Sequence, residues 1–196
     1  SIGAFLRHDS DDWYLSGLLS YSRHDVDSER FTGLNTVTAD FDARTLALWG
    51  EVGKKMTRGK WNIEPNLSLK FSNTRQDGFD EDGPGGLSVD DTRYNSRRVG
   101  LGVRITSNDE TSRIRPRLAL GFERELGDDN VQLTNQLPLL GTFDVDGAKL
   151  GKNIFTARLG ADARLNERFS LTGEIGGSWR SNQDSHYIYG GVKYGF

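Results

Sequence analysis

The sequence predicts an all-β fold, an antiparallel transmembrane β-barrel with nine strands visible in 196 residues, on three observations. Apolar residues recur at every second position in nine successive segments and seldom at the spacing of three and four that marks a helix. The connections between segments fall into a short set and a long set that alternate along the chain. Aromatic residues stand at both ends of the apolar stretches, where a ring that is half apolar and half wet is favoured.

The elements follow in order. A first segment over residues 1–8 ends at a short turn over 9–12, and a second starts at Trp13. A third ends at the turn over 57–60. The fourth sets Trp61, Ile63, Pro65, Leu67, Leu69 and Phe71 against Asn62, Glu64, Asn66, Ser68 and Lys70. In the fifth, Val99, Leu101, Val103 and Ile105 oppose Gly100, Gly102 and Arg104, and a short turn over 107–112 follows. The sixth sets Ile114, Leu118, Leu120 and Phe122 against Arg115, Arg117, Gly121, Glu123 and Glu125. The seventh sets Phe155, Ala157, Leu159, Ala161, Ala163 and Leu165 against Thr156, Arg158, Gly160, Asp162 and Arg164, and ends at the turn over 166–168. In the eighth, Phe169, Leu171, Ile175 and Trp179 oppose Ser170, Thr172, Glu174 and Arg180. The ninth fills residues 187–196, after a short hairpin near 182–185. Long polar connections are expected over 25–38, 73–92 and 127–146, with residues 131–140 either extending a strand or folding back.

Two architectures make such strands, and they put the apolar face on opposite sides. A soluble sandwich buries it, whereas a membrane barrel turns it to lipid and lines a wet lumen with the polar face. Short turns on one rim and long connections on the other favour the barrel. So do the aromatics: Trp13, Trp61 and Phe169 follow short turns, with Tyr194 and Phe196 at their level, and Tyr21, Phe71, Phe122 and Trp179 stand at the far end. The two girdles lie about ten residues apart on each strand, enough for a tilted strand to cross a band ~25 Å tall. A mean hydropathy of −0.61 fits, because alternating strands average polar.

Composition narrows function. Without Cys there is no disulfide framework and no thiolate metal site. A net charge of −3 gives no sign of a nucleic-acid partner. Gly is spread along the chain and no stretch is of low complexity, so residues 1–196 read as one domain. No targeting segment opens the chain, and Ser1 is expected to begin a fragment.

No catalytic, cofactor-binding or metal-ligating residues are expected. Asp77-Gly78-Phe79-Asp80-Glu81-Asp82-Gly83 fails the EF-hand frame, with Gly at position one and no closing Glu, and reads as a solvated acidic loop. Gly147-Ala148-Lys149-Leu150-Gly151-Lys152-Asn153 is one residue short of a P-loop and ends in Asn. His8, His24 and His186 each stand beside Asp or Ser, but no Gly-x-Ser-x-Gly elbow accompanies them.

The last residues resemble the C-terminal signal that the barrel assembly machinery of the bacterial outer membrane recognises, with Tyr189, Gly191, Tyr194 and Phe196 in a polar-x-Gly-x-x-apolar-x-apolar frame. Internal segments sharpen the resemblance. Trp13-Tyr14-Leu15 through Tyr21-Ser22-Arg23-His24-Asp25, Leu48-Trp49-Gly50-Glu51-Val52-Gly53, Ile63-Glu64-Pro65 through Arg75-Gln76-Asp77-Gly78-Phe79, and Gly121-Phe122-Glu123-Arg124-Glu125-Leu126-Gly127-Asp128-Asp129 are similar in order and spacing to the β-domain of type Va autotransporters. The resemblance implies an outer-membrane translocator that anchors an N-terminal passenger and assists its secretion. It also implies that the nine strands correspond to strands 4–12 of a twelve-stranded barrel, with the first strands and a plug helix upstream.

In that frame the lumen carries Glu51, Glu64, Lys70, Arg104, Arg115, Arg117, Glu123, Arg158, Asp162, Arg164, Glu174, Arg180 and Lys193, which hydrate it and hold a plug helix or passenger segment. Some autotransporters cleave their own passenger at a plug helix with help from acidic lumen residues; that helix is absent from residues 1–196, so neither Glu51 nor Glu64 is expected in that role. The expected partners are outer-membrane lipid and lipopolysaccharide, the assembly machinery and the chain's own passenger, with no cofactor. The alternatives are a small structural or adhesive barrel of the OmpA/OmpX type with no passenger, and a soluble β-sandwich.

Overall fold

The computed structural model describes residues 1–137 and 141–195. Its strands are β1 (Ile2–Asp9), β2 (Trp13–Phe31), β3 (Thr36–Lys54), β4 (Met56–Arg58), β5 (Trp61–Gln76), β6 (Phe79–Asp80), β7 (Ser88–Val89), β8 (Thr92–Ser107), β9 (Ile114–Glu125), β10 (Gln132–Leu137), β11 (Gly141–Asp146), β12 (Asn153–Arg164), β13 (Phe169–Arg180) and β14 (Gln183–Tyr194). Among the described residues there is no helix.

The wall is an antiparallel meander in the order β1-β2-β3-β5-β8-β9-β12-β13-β14, with β4 continuing β3 along β5. These are the nine expected strands. Each is joined to its sequence neighbour in the wall, as short turns require of antiparallel strands. The break between β3 and β4 has a local cause. It lies opposite Glu64 and Pro65, Pro65 has no N–H to give to a ladder, and the Lys55 N–H turns instead to the Asp12 carbonyl at 2.7 Å.

The alternating pattern leaves the apolar face uncovered. Leu69 is 62% exposed, Leu101 63% and Leu159 54%, while the buried apolar side chains among the described residues are Tyr14, Val37, Ala39, Val89 and Ile154. A soluble sandwich would bury that face, so the sandwich reading fails.

The long connections are corrected. Residues 25–38 are not a loop: β2 and β3 run on as a ribbon of 19 residues each and close in a tight turn where Thr32 N–H donates to the Asn35 carbonyl (2.8 Å) and Gly33 takes a φ of 95°. Once a hairpin has its register, each further residue of the ladder satisfies its backbone groups, and here Val37, Ala39 and Phe41 add an apolar face that the second sheet covers. Residues 73–92 and 127–146 hold β6, β7, β10 and β11, which form a second sheet in the order β11-β10-β7-β6. The chain folds back through β10 onto β11, and residues 138–140 of the expected 131–140 segment lie outside the described residues.

The second sheet is fixed to the ribbon. Thr38 and Asp82 exchange backbone hydrogen bonds of 3.2 and 2.7 Å, and Phe41 stacks on Phe79 with ring centroids 4.4 Å apart. Val37, Ala39, Val89 and Asn135 are buried there. Glu81 accepts from Arg30 Nε (2.9 Å) and Nη2 and from the Leu87 N–H (2.8 Å), and these contacts hold its carboxyl below the usual carboxylate range, Arg30 being the main cause.

Short turns at residues 10–12, 59–60, 108–113 and 165–168 share one rim, and the β2–β3 ribbon and the second sheet rise from the other. The β13–β14 hairpin, a two-residue turn with Asn182 at φ 66°, also stands on that second rim.

Candidate functional site: the polar inner face

Register decides which side chains share a face, because directly paired residues point the same way. Ser16 pairs with Glu51, Glu51 with Ser68, Ser68 with Gly100, and Gly100 with Glu123. Continuing the count, all thirteen charged residues expected in a lumen lie on one face of the wall: Glu51, Glu64, Lys70, Arg104, Arg115, Arg117, Glu123, Arg158, Asp162, Arg164, Glu174, Arg180 and Lys193. Their contacts reach over intervening strands, which marks this as the side onto which the sheet curls.

Arg104 of β8 crosses two strands to bond the Tyr14 hydroxyl of β2, and also reaches Glu51 Oε1 (2.8 Å) and Glu64 Oε2 (3.3 Å). Tyr14 donates to Glu51 Oε1 at 2.8 Å and is fully buried. Its ring lies over Gly53, where a Cβ would meet it at 2.3 Å, and Arg7 and Arg104 stand 4.8 and 5.2 Å from the ring centre. Lys70 of β5 meets Glu123 of β9 at 2.5 Å. Arg117 of β9 meets Asp162 of β12 (3.2 Å) and Glu174 of β13 (3.9 Å), and its Nη2 reaches Thr172 Oγ1 at 3.1 Å. Tyr187 donates to Glu174 at 2.6 Å. Of the others, Arg180 bonds Gln183 Oε1 (Nε at 2.7 Å), while Lys193 and Arg164 flank Ser170 in register. Between the β3, β5, β8, β9 and β12 side chains lies a cavity of about 390 Å³ lined by Glu51, Asn66, Lys70, Arg104, Glu123 and Arg158.

Two residues central to this network lie outside the thirteen expected in a lumen, although the alternation puts Glu125 on the polar face of its strand. Tyr14 counts as one more aromatic near a turn, and only the Gly53 opposite it hints at a ring lying flat on the sheet. Glu125 is the last polar residue of β9, yet it is 2% exposed and accepts four bonds: from Ser96 Oγ (2.6 Å), Arg97 N (2.7 Å), Arg98 Nε (2.8 Å) and Gly127 N (2.9 Å).

The aromatics lie on the opposite, outer face. Trp13, Trp61 and Phe169 stand at the short-turn rim and Tyr21, Phe71, Phe122 and Trp179 toward the other. Phe169 rests against Tyr194 (centroids 4.8 Å apart), and Phe122 against Phe155 (5.1 Å). Tyr189, Gly191 and Tyr194 belong to β14, and Phe196 lies outside the described residues.

His8, His24 and His186 are on β1, β2 and β14, with His8 beside Trp13 (5.3 Å) and His186 beside Trp179 (5.6 Å). Among the described residues, no three His, Asp or Glu side chains come together as metal ligands would. Residues 147–153 lead into β12, not a helix.

Comparison with known proteins follows from this geometry. The family described as "Autotransporter beta-domain" matches residues 1–176. An "Extracellular serine protease" of Serratia marcescens is 24% identical over 187 residues, covering 90% of this chain and 18% of its own length. "Serotype-specific antigen 1" of Mannheimia haemolytica is 25% identical over 175 residues, 87% of this chain and 17% of its own. The chain thus spans under a fifth of these relatives. The translocator domain of autotransporter NalP from Neisseria meningitidis superimposes with a TM-score of 0.73 at 21% identity, over 99% of this chain and 64% of that one. With an apolar outer face, a polar inner face and a family match over nearly its whole length, the chain belongs to the autotransporter β-domain family, the outer-membrane β-barrels that serve as translocators.

Proposed function

We propose that this domain anchors an N-terminal passenger in the outer membrane and assists its secretion through the polar interior, with no catalysis of its own. The observation that carries the reading is the pairing of one uncovered apolar face with one face of linked charges on a wall of the autotransporter β-domain family. The apolar face partitions into lipid at roughly 25 cal/mol per Å² kept from water. The thirteen inner charges keep the passage hydrated and give an extended polypeptide polar contacts that are individually weak, so that it can move on.

The sheet order runs from β1 to β14 with no β1–β14 ladder among the described residues. Edges left open in lipid would cost several kcal/mol for each unmet backbone group, so strands outside this chain pair with them and close the barrel. Tyr189, Gly191, Tyr194 and Phe196 present the terminal strand to the barrel assembly machinery, and the girdles of Trp13, Trp61 and Phe169 and of Tyr21, Phe71, Phe122 and Trp179 sit at the two headgroup levels, the outer one against lipopolysaccharide.

The test uses the full-length gene product in its own outer membrane. Phe196→Ala is expected to cut the heat-modifiable barrel band and, with it, passenger exposed to protease on intact cells. Unchanged surface passenger with no barrel band, or a soluble species unaffected by boiling, refutes the translocator reading.

A further inference from the structure

Four neighbouring strands of the wall each carry one arginine and one aspartate two residues apart, where the outer face leaves its apolar band. They are Arg23-His24-Asp25 on β2, Asp42-Ala43-Arg44 on β3, Arg75-Gln76-Asp77 at the end of β5, and Asp91-Thr92-Arg93 at the start of β8. The strands alternate in direction, and the order of the pair alternates with them. The arginine is therefore always on the side of the apolar band and the aspartate always farther out.

The register puts each kind in a row. Arg23 is opposite Arg44, Arg44 opposite Arg75, and Arg75 opposite Arg93. Asp25 is opposite Asp42, and the Asp77 N–H donates to the Asp42 carbonyl at 2.9 Å. The next row toward the band is Tyr21, Leu46, Asn73 and Asn95, and the one after it is Leu19, Leu48, Phe71 and Arg97.

Like charges directly opposite on adjacent strands repel. The aspartates relieve part of this: Arg23 reaches Asp42 (2.7 Å), Arg44 reaches Asp77 (2.8 Å) and Arg75 reaches Asp91 (3.3 Å). Self-neutralisation does not require this order, however. Arginine set opposite aspartate within each row would neutralise better. Four strands that keep the cations at one level and the anions at the next answer to something outside the chain that is itself layered. The arginines also keep donors free, since each guanidinium has five and the side chains of Arg23, Arg44 and Arg75 remain 59%, 47% and 48% exposed. Among the described residues, the side chains of Arg93 and Arg97 have no ion pair or side-chain hydrogen bond.

We propose that Arg23, Arg44, Arg75 and Arg93, with Arg97 two rows below, bind the phosphate groups of lipopolysaccharide in the outer leaflet, and that the aspartates orient the guanidiniums from the water side. This rests on the reading of the domain as a membrane barrel whose long rim faces outward. A planar guanidinium takes a phosphate with two parallel bonds, which an ammonium cannot copy.

The experiment reconstitutes the full-length protein in vesicles doped with diphosphorylated lipid A or its dephosphorylated counterpart, and measures retention of each lipid by the purified barrel. Diphosphorylated lipid A is expected to be retained preferentially. Arg44→Gln with Arg75→Gln weakens retention by about 25-fold, at about fivefold per arginine near an anionic surface, and Arg44→Lys with Arg75→Lys restores only part of it. A heat-modifiable double-Gln variant that retains the lipid like wild type overturns the proposal, as does equal retention of the two lipids. Displacement of lipid A by millimolar inorganic phosphate reassigns the row to free anions and overturns the lipid assignment. If the wild-type protein itself forms no heat-modifiable barrel in vesicles, the membrane reading falls; an intact barrel without phosphate preference refutes this proposal alone.

Discussion

Replacing Glu125 with alanine tests whether the buried carboxylate at the end of β9 ties the outer rim of the wall together. Its two oxygens accept from a hydroxyl, a guanidinium and two backbone N–H groups, and it joins β8, β9 and the segment leading to the second sheet. The truncation leaves four donors without an acceptor, and Arg98 keeps only Glu123 at 4.0 Å. Each bond taken singly is worth about 0.5–3 kcal/mol net, but the four share one acceptor and do not add. Breaking a buried pair from one side costs about 3–5 kcal/mol, and that is the expected loss for Glu125→Ala. Glu125→Gln keeps one acceptor oxygen and is expected to lose about half as much. The assay is urea unfolding of the reconstituted full-length protein, followed by tryptophan fluorescence and by loss of the heat-modifiable band. With a slope of about 1–3 kcal/mol per M, the alanine variant should unfold about 1–5 M earlier. A midpoint shift below about 0.3 M would refute the argument, as would additive losses for Glu125→Ala and Arg98→Ala in a double-mutant cycle.

Two further outcomes follow from close contacts. Gly53→Ala places a methyl group 2.3 Å from the Tyr14 ring, so it should displace Tyr14 from Glu51 and destabilise the barrel by about 1–3 kcal/mol; Tyr14→Ala in the same chain should restore part of the loss in the same urea assay. Asp109, in the turn after β8, is held at about 2 by the Lys60 ammonium at 2.7 Å and by Thr111 Oγ1 at 2.6 Å. Because this folded value lies below the ordinary one, the carboxylate's contribution to the turn is complete above the unfolded value of about 3.9 and is lost as the pH falls toward 2. A carboxyl-carbon NMR titration should show this, and Lys60→Ala should move Asp109 back toward its ordinary value.

What the sequence disclosed follows from how far each structure depends on residues close in the chain. The alternation of Phe155, Ala157 and Leu159 with Thr156, Arg158 and Gly160 gives β12 and its faces, because a strand's side-chain period is two whatever its partners. Knowing the strands gives the inner charges by parity. The extension of β2 and β3 past Asp25 and Asp42 was hidden because Asp27, Ser28, Glu29 and Arg30 of β2 show no apolar alternation, and the short alternation of Val37, Ala39 and Phe41 on β3 gains its cover from the second sheet. The second sheet was hidden for another reason. β6 and β7 are two residues long; β6 pairs with β7, and β7 with β10, forty-odd residues downstream. The contact of Tyr14 with Arg104 and the burial of Glu125 depend on the curl of the wall, which no local pattern encodes.

The second sheet also braces the mouth of the barrel. Every ladder of the wall joins neighbours in the meander, so little else ties distant strands at the outer rim. The second sheet does so, stapling the β3 ribbon to the β5–β8 connection through Thr38 and Asp82, and that connection to the β9–β12 connection through Val89 and Asn135. On the far side, the two-residue β13–β14 turn is tied to the segment before β12, where the Gly151 N–H donates to the Ser181 carbonyl (2.9 Å) and Asn182 Nδ2 donates to the Lys149 carbonyl (2.7 Å). The rim strands from β3 to β14 are thus linked through their connections as well as through their ladders, and a push on one of them is shared with strands it does not pair with.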